Sequence, residues 1–374
     1  MIKRIVLLFM TVLAVASCSE KGAKVPVYAW TGGPGDDTDQ ELLAKFKDFN
    51  AKGIDGLMYS GGHDPETYKR VGALVKEAGM EFHTWIPTMV QGRNPKIDTS
   101  LYAYNRKGES ALEKPAYVDH YKFLCPNKEG TYEFLADLYG SVAAVEEVDG
   151  IHLDFIRFPD VILARGLWEK YGLVMDREFP EYDYCYCDKC TSDFLTKTGI
   201  DIKTVEDPSL VMEWKQFRYD LITRLVGRLS KVVHDKGKVI NAAVFPGPSI
   251  AKKLVRQEWD KWDLDAVYPM NYNDFYLEGP EWLAPITKEE VAAVNGEKPI
   301  YSGLFICPKP ESKSKEKDPE NHGLLPSEIE TAIRGSMENG ATGICLFTPE
   351  RMTPEHWKAF ERAIYIDYSK KDSD

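Results

Sequence analysis

The chain has 374 residues, 43% of them hydrophobic and 12% aromatic, and a formal net charge of -12. That composition supplies a sizeable core and excludes a disordered chain, while the acidic balance argues against nucleic acid as a partner and leaves neutral ligands open. Its 20 Tyr, 16 Phe and 8 Trp are ordinary core material that also offers flat surface for stacking on sugar rings.

The chain opens with Lys3 and Arg4, followed by an apolar run from Ile5 to Ala16. The run is too short to span a bilayer and has the dimensions of a signal-peptide core. It closes on Val15-Ala16-Ser17-Cys18, which resembles a bacterial lipobox. The expectation is a lipoprotein signal peptide over 1–17, lipidation of Cys18, and a short linker over 18–24. The protein would then be exported and anchored by lipid to the bacterial cell envelope, facing the periplasm or the cell surface. The alternative is an ordinary secretory peptide cut near Ser17.

From Val25 onward, short β-branched or aromatic runs alternate with helical patterns. The strand candidates are Val25–Trp30, Gly56–Tyr59, Glu81–Pro87, Gly150–Ile156, Val239–Phe245, Asp265–Met270, Ile300–Ile306 and Gly343–Thr348. Helical spacing of apolar residues marks Thr38–Asn50, Pro65–Ala78, Glu129–Glu147, Leu210–His234 and Pro326–Asn339. Weaker helical patterns cover Ile250–Glu258, Thr287–Val294 and Glu355–Ile364. Strands each followed by a helix predict an α/β fold, a (β/α)8 TIM barrel over 25–366, with a polar tail over 367–374. Helix-to-strand connections are tight and end in glycine, as in Ala51-Lys52-Gly53 and Asn339-Gly340. Strand-to-helix connections are long, above all Thr88–Lys128 and Phe158–Ser209. Long loops at the carboxyl ends of the strands are where barrels build their sites.

The most informative stretch runs from Asp149 to Pro159. Strand alternation puts His152, Asp154 and Ile156 on one face, and the apolar Ile151, Leu153 and Phe155 on the other. The first face is expected to point into the barrel, with a carboxylate near its open end. A charge there needs a partner, and Arg157 is the candidate. The bland alternative is a structural Asp154–Arg157 pair closing the barrel top.

Asp149-Gly150-Ile151-His152-Leu153-Asp154 with Arg157-Phe158-Pro159 resembles the strand-four motif of the family-10-like glycosyl hydrolases of bacterial lipoproteins. Asp265-Ala266-Val267-Tyr268-Pro269-Met270-Asn271-Tyr272 resembles their strand-six motif. The resemblance spans about Val25 to Trp357 and implies the fold more than the substrate. A more distant resemblance is to the chitinase-type barrels, where Asp149 and Asp154 match acids of strand four and Met270-Asn271-Tyr272 matches strand six. Ile156 stands where their general-acid Glu would be, so standard chitinase chemistry is not expected.

The function these features imply is hydrolysis of glycosidic bonds in a poly- or oligosaccharide, with two carboxylates at the barrel mouth. Asp154 is the expected principal carboxylate and Asp274 the acid/base, with Glu350 an alternative. Arg157 and His152 would tune Asp154, and Trp30, His83, Trp85, Asn271, Tyr272 and Glu350 would hold the sugar. The alternatives are a catalytically silent glycan-binding barrel and a substrate-assisted hydrolase of N-acetylated amino sugars. No cofactor and no catalytic metal are expected, since the histidines lack ligand spacing. Cys185-Tyr186-Cys187-Asp188-Lys189-Cys190, with Cys125 a possible fourth, could form a disulfide staple, a zinc site or free thiols. Cys307 and Cys345 are expected core thiols.

Overall fold

A computed structural model describes residues 24–33, 35, 37–306 and 323–368. The expectations for the signal peptide, Cys18, Cys307, most of the loop after the seventh strand and the tail beyond residue 368 lie outside them. Eight parallel strands form one sheet: β1 Val27–Gly32, β2 Gly56–Ser60, β3 Glu81–Pro87, β4 Gly150–Asp154, β5 Val239–Val244, β6 Ala266–Pro269, β7 Tyr301–Phe305 and β8 Gly343–Phe347. Hydrogen-bonded neighbours run β6-β5-β4-β3-β2-β1-β8-β7. Isolated parallel bridges, Val267 to Ile300 and Met270 to Gly303, bring β6 against β7 and close the ring. The architecture is the expected (β/α)8 barrel.

The helices around it are α1 Asp39–Ala51, α2 Pro65–Glu77, α3 Glu129–Ala143, α4 Trp168–Tyr171, α5 Asp188–Thr198, α6 Met212–His234, α7 Pro248–Val255, α8 Leu283–Val294, α9 Ile329–Met337 and α10 Pro354–Ala363. Local chemistry starts several of them. Thr38 and Glu41 form a capping box at α1, Asp64 caps α2 ahead of Pro65, and Thr353 with His356 caps α10 ahead of Pro354. The short helices α4 and α5 lie in the long loop after β4, where the sequence showed no clear helical period.

Strand alternation divides the core in two. Outward residues such as Val27, Leu57, Phe82, Ile151, Leu153, Ile240 and Leu346 pack in one large cluster with helix residues such as Phe46, Val71, Leu135 and Leu225. Inward residues Tyr28, Trp30, Met58, Ala243, Tyr268 and Cys345 form a second cluster inside the ring. The interior is therefore filled, and open space begins above it, at the carboxyl ends of the strands. No helix among the described residues is long and apolar enough to cross a membrane.

Candidate active site

A cavity of about 240 Å³ lies at that end of the barrel. Trp30, Trp85, Asp154 and Phe347 reach it from the strands, Met270 and Tyr272 from just beyond β6, and Tyr117, Tyr121, Tyr171 and Tyr276 from the loops. Eleven of its nineteen lining residues are aromatic, and Asp154, Arg157 and Asp160 are the charged ones. An aromatic wall with a few charged groups suits a ligand with alternating apolar and hydroxylated faces, such as a sugar ring.

Asp154 is the last residue of β4. The chain turns at once, because Phe155 adopts a left-handed φ of 48°, a conformation costly for a residue with a Cβ. This turn overturns the expected alternation beyond Asp154. Phe155 faces the cavity, while Ile156 is fully buried in the outer cluster. It also lets the Phe155 N–H donate back to Asp154 Oδ1 at 2.7 Å, while Trp85 Nε1 donates to Oδ2 at 2.9 Å. Burial drives the Asp154 carboxyl above its ordinary range, and the Trp85 and Phe155 hydrogen bonds and the Arg157 charge oppose that shift. A carboxyl raised by its surroundings is suited to donating a proton.

Arg157 lines the cavity, but its ion-pair partner is Asp160 and not Asp154. Arg157 Nη1 donates to Asp160 Oδ2 at 2.9 Å, and both side chains are at most 5% exposed. The Tyr117 hydroxyl donates to the same Asp160 oxygen at 2.6 Å. The guanidinium lies 5.1 Å from the ring centres of both Phe155 and Phe245, a cation–π setting that adds to the pair. Asp160 is thus a held carboxylate. Asp154 remains the one cavity carboxyl without a hydrogen-bonded cation among the described residues.

Beneath the cavity a polar chain crosses the barrel. Trp30 Nε1 donates to His152 Nε2 at 2.8 Å, so the His152 proton sits on Nδ1 and is given to Asn241 Oδ1. Asn241 Nδ2 in turn donates to His83 Nδ1 at 3.1 Å, and His83 Nε2 faces Glu81 Oε2 at 3.4 Å. Burial pushes His152 down to about 3, against the Asn241 hydrogen bond, so the imidazole is neutral. Gly150 makes room for this chain, since a Cβ there would lie 2.4 Å from His83 Nδ1. His83 and His152 were expected to touch sugar or tune Asp154. Both lie below the cavity lining and are occupied in fixing the Trp30 indole.

The remaining expected residues stand outside the lining. Asn271 alternates away from Met270 and Tyr272, and its amide donates to Glu290 Oε2 at 3.1 Å and Ser302 Oγ at 2.9 Å. Asp274 sits in a short 3-10 turn, where its Oδ2 accepts the Gly323 N–H at 2.6 Å. Glu350 is exposed and accepts from the hydroxyls of Thr31 and Thr348. Tyr272 does line the cavity, and its hydroxyl has no hydrogen-bond partner among the described residues. Burial raises it well above 10, which keeps it a donor.

Glu290, on α8, is a buried acid that the sequence did not single out. It also accepts the Gly247 N–H at 3.1 Å, which ties α8 to the loop after β5. Burial pushes it up to about 8, against the Asn271 and Gly247 hydrogen bonds. The unfolded chain would release this proton near 4.5, before the folded chain does. Its contribution to stability is therefore intact below about 4.5 and declines as pH rises toward 8. Glu290→Gln is expected to remove that decline and to unfold at a higher temperature than wild type at pH 8. Thermal unfolding across the window checks it, and an unchanged pH dependence would contradict it.

No family model matches the sequence, and no curated protein does. Solved structures do match the fold. The PgaB (BpsB) glycoside hydrolase domain from Bordetella bronchiseptica aligns with 93% of this chain and 100% of its own, at 14% identity and a TM-score of 0.61. A β-galactosidase from the Antarctic haloarchaeon Halorubrum lacusprofundi aligns with 93% of this chain and 58% of its own, at 11% identity and a TM-score of 0.64. A class V chitinase from Pseudomonas fluorescens Pf-5 aligns with 91% of this chain and 99% of its own, at 10% identity and a TM-score of 0.52. The fold resembles that of glycoside hydrolase catalytic domains. At these identities the likeness is one of fold.

Within this barrel, the cavity brings together Trp30, Trp85, Asp154, Arg157 and Tyr272 from the expected set. Sequence reasoning missed Asp160 and the loop tyrosines 117, 121, 171 and 276. The available signal for Asp160 was its spacing three residues after Arg157, and for the tyrosines their density in the two longest loops.

Proposed function

We propose that the chain hydrolyses glycosidic bonds, with Asp154 as the group that protonates the leaving oxygen. The observation that carries this reading is the setting of Asp154. It is half-buried among aromatic rings at the carboxyl end of a barrel strand, raised above the ordinary carboxyl range, and held from one side by Trp85 and Phe155. The cavity is smaller than the roughly 300–1,000 Å³ typical of sites for drug-sized ligands, which suits a single sugar unit.

Two forms of the reaction differ in the second group. In the two-carboxylate form Asp274 would have to leave the Gly323 amide and swing into the cavity. In the one-carboxyl form the substrate's own acetamido oxygen attacks the anomeric carbon as Asp154 gives its proton to the departing oxygen. Water then opens the cyclic intermediate, and Asp154 takes the proton back. The pairing of Asp160 with Arg157 and Tyr117 favours the one-carboxyl form, hence an N-acetylated amino sugar as substrate. Tyr272 would donate its free hydroxyl to that sugar, and Trp85 and Phe347 would stack on it.

The test is release of reducing ends from matched N-acetylated and non-acetylated oligosaccharides by the wild-type protein. Cleavage confined to the acetylated series is the expected result. Equal cleavage of both would return the two-carboxylate form with Asp274, and tight binding without cleavage would make the protein a glycan-binding barrel. We also propose that Cys18 carries a lipid anchor. Cys18→Ala should move the folded protein from the membrane fraction to the soluble one, and continued membrane association would contradict the anchor.

A further inference from the structure

The two loops that wall the cavity meet at a group of thiols that hydrolysis does not use. Cys125 lies just ahead of α3, at the end of the loop after β3. Cys185, Cys187 and Cys190 come from the loop after β4, with Cys187 capping α5 and Cys190 in its first turn. All four are buried and unpaired in disulfides, and their sulfurs lie within 4.8 Å of one another. Cys125 Sγ is 3.7 Å from Cys187 Sγ and 3.5 Å from Cys190 Sγ. A tetrahedral zinc–thiolate centre with Zn–S near 2.3 Å has sulfurs about 3.8 Å apart. Disulfides would bring the sulfurs together in pairs, whereas here all four converge on one point.

We propose that Cys125, Cys185, Cys187 and Cys190 form a structural zinc site that clamps the loop after β3 to the loop after β4. Binding Zn²⁺ would release four thiol protons to solvent and leave a centre of net charge minus two. The surroundings suit that charge. The Tyr104 N–H points at Cys185 Sγ at 3.4 Å, and Cys187 borders a surface recess where the cations Arg106, Lys107, Lys128, Lys189 and Lys203 outnumber the one carboxylate, Asp188, which pairs with Lys203. Closed four-sulfur coordination leaves no position for water, so the ion holds structure and takes no part in hydrolysis. Its consequence for the site is indirect, because Tyr117 and Tyr121 hang on one clamped loop and Asp160 and Tyr171 on the other.

The experiment uses the full chain, purified in air without reductant or chelator. Metal analysis should find about one zinc per chain, with the four thiols unreactive until the ion is withdrawn. Exchange with Co²⁺ should give the visible absorption of tetrahedral, thiolate-bound cobalt. Cys190→Ser should lose the zinc and Cys345→Ser, whose thiol lies inside the barrel, should keep it. If Cys190→Ser does not fold, wild-type metal content and the cobalt spectrum decide. A metal-free chain lighter by four hydrogens would show two disulfides and overturn the proposal. So would a metal-free chain with four reactive thiols, or one that holds iron in place of zinc.

Discussion

Asp154→Asn is expected to lower turnover of a cleaved glycan by about 10²-fold or more, the scale of lost general acid help, with little change in thermal unfolding. Asparagine keeps the shape, and its single oxygen still accepts one of the two hydrogen bonds that hold the wild-type carboxyl, from Trp85 Nε1 or from the Phe155 N–H. The other is lost, at a cost of about 1 kcal/mol. What asparagine cannot do is give up a proton and carry the resulting charge. Stability should otherwise hold because Asp154 has no hydrogen-bonded cation that its neutralisation would leave unpaired; burial in fact disfavours its charged form. Steady-state rates and melting temperatures, measured on the same preparations, separate the two effects. An Asp154→Asn protein that unfolds early yet hydrolyses normally while folded would assign the residue to structure.

Arg157→Met should show the opposite pattern, with a loss of about 3–5 kcal/mol of stability, the scale for breaking a buried ion pair by removing one partner. Arg157 and Asp160 are 5% and 4% exposed at their side chains, so Asp160 would be left charged and buried with only the Tyr117 hydroxyl as donor. Adding Asp160→Asn removes that stranded charge and keeps an acceptor for Tyr117. The double variant should therefore recover much of what the single one loses. Denaturant unfolding of wild type, Arg157→Met and the double variant checks this. If the single variant is as stable as wild type, the pair does not hold the cavity wall.

The barrel was legible in the sequence because its strands are short apolar runs between helices with an apolar period, and each observed strand falls within a residue or two of its run. Asp154 was legible for the same reason, since alternation along β4 is enough to turn it inward. Alternation stops being informative where a strand stops. The left-handed Phe155 reversed the faces expected for Phe155 and Ile156, and that turn depends on how the chain packs beyond the strand. Residue type alone pointed Asn271 to the sugar and His152 to Asp154, but each is engaged by buried neighbours, Glu290 and Ser302 in one case and Trp30 and Asn241 in the other. Asp274 and Asp160 exchanged places with expectation because loop–loop contacts decide which carboxyl faces the cavity. The thiol group shows the same limit, since the short spacing of Cys185, Cys187 and Cys190 was visible but the convergence of Cys125 on them is tertiary.

The most direct test of Asp154 as the proton donor is a comparison of leaving groups. Wild type and Asp154→Asn would be assayed on aryl glycosides of one sugar whose phenols range from strongly acidic to weakly acidic. A leaving group that departs readily as an anion does not need a proton, so the defect of Asp154→Asn should shrink toward the acidic end and grow toward the weakly acidic end. A defect of the same size across the whole series would contradict the assignment and leave Asp154 without a role in protonating the departing oxygen.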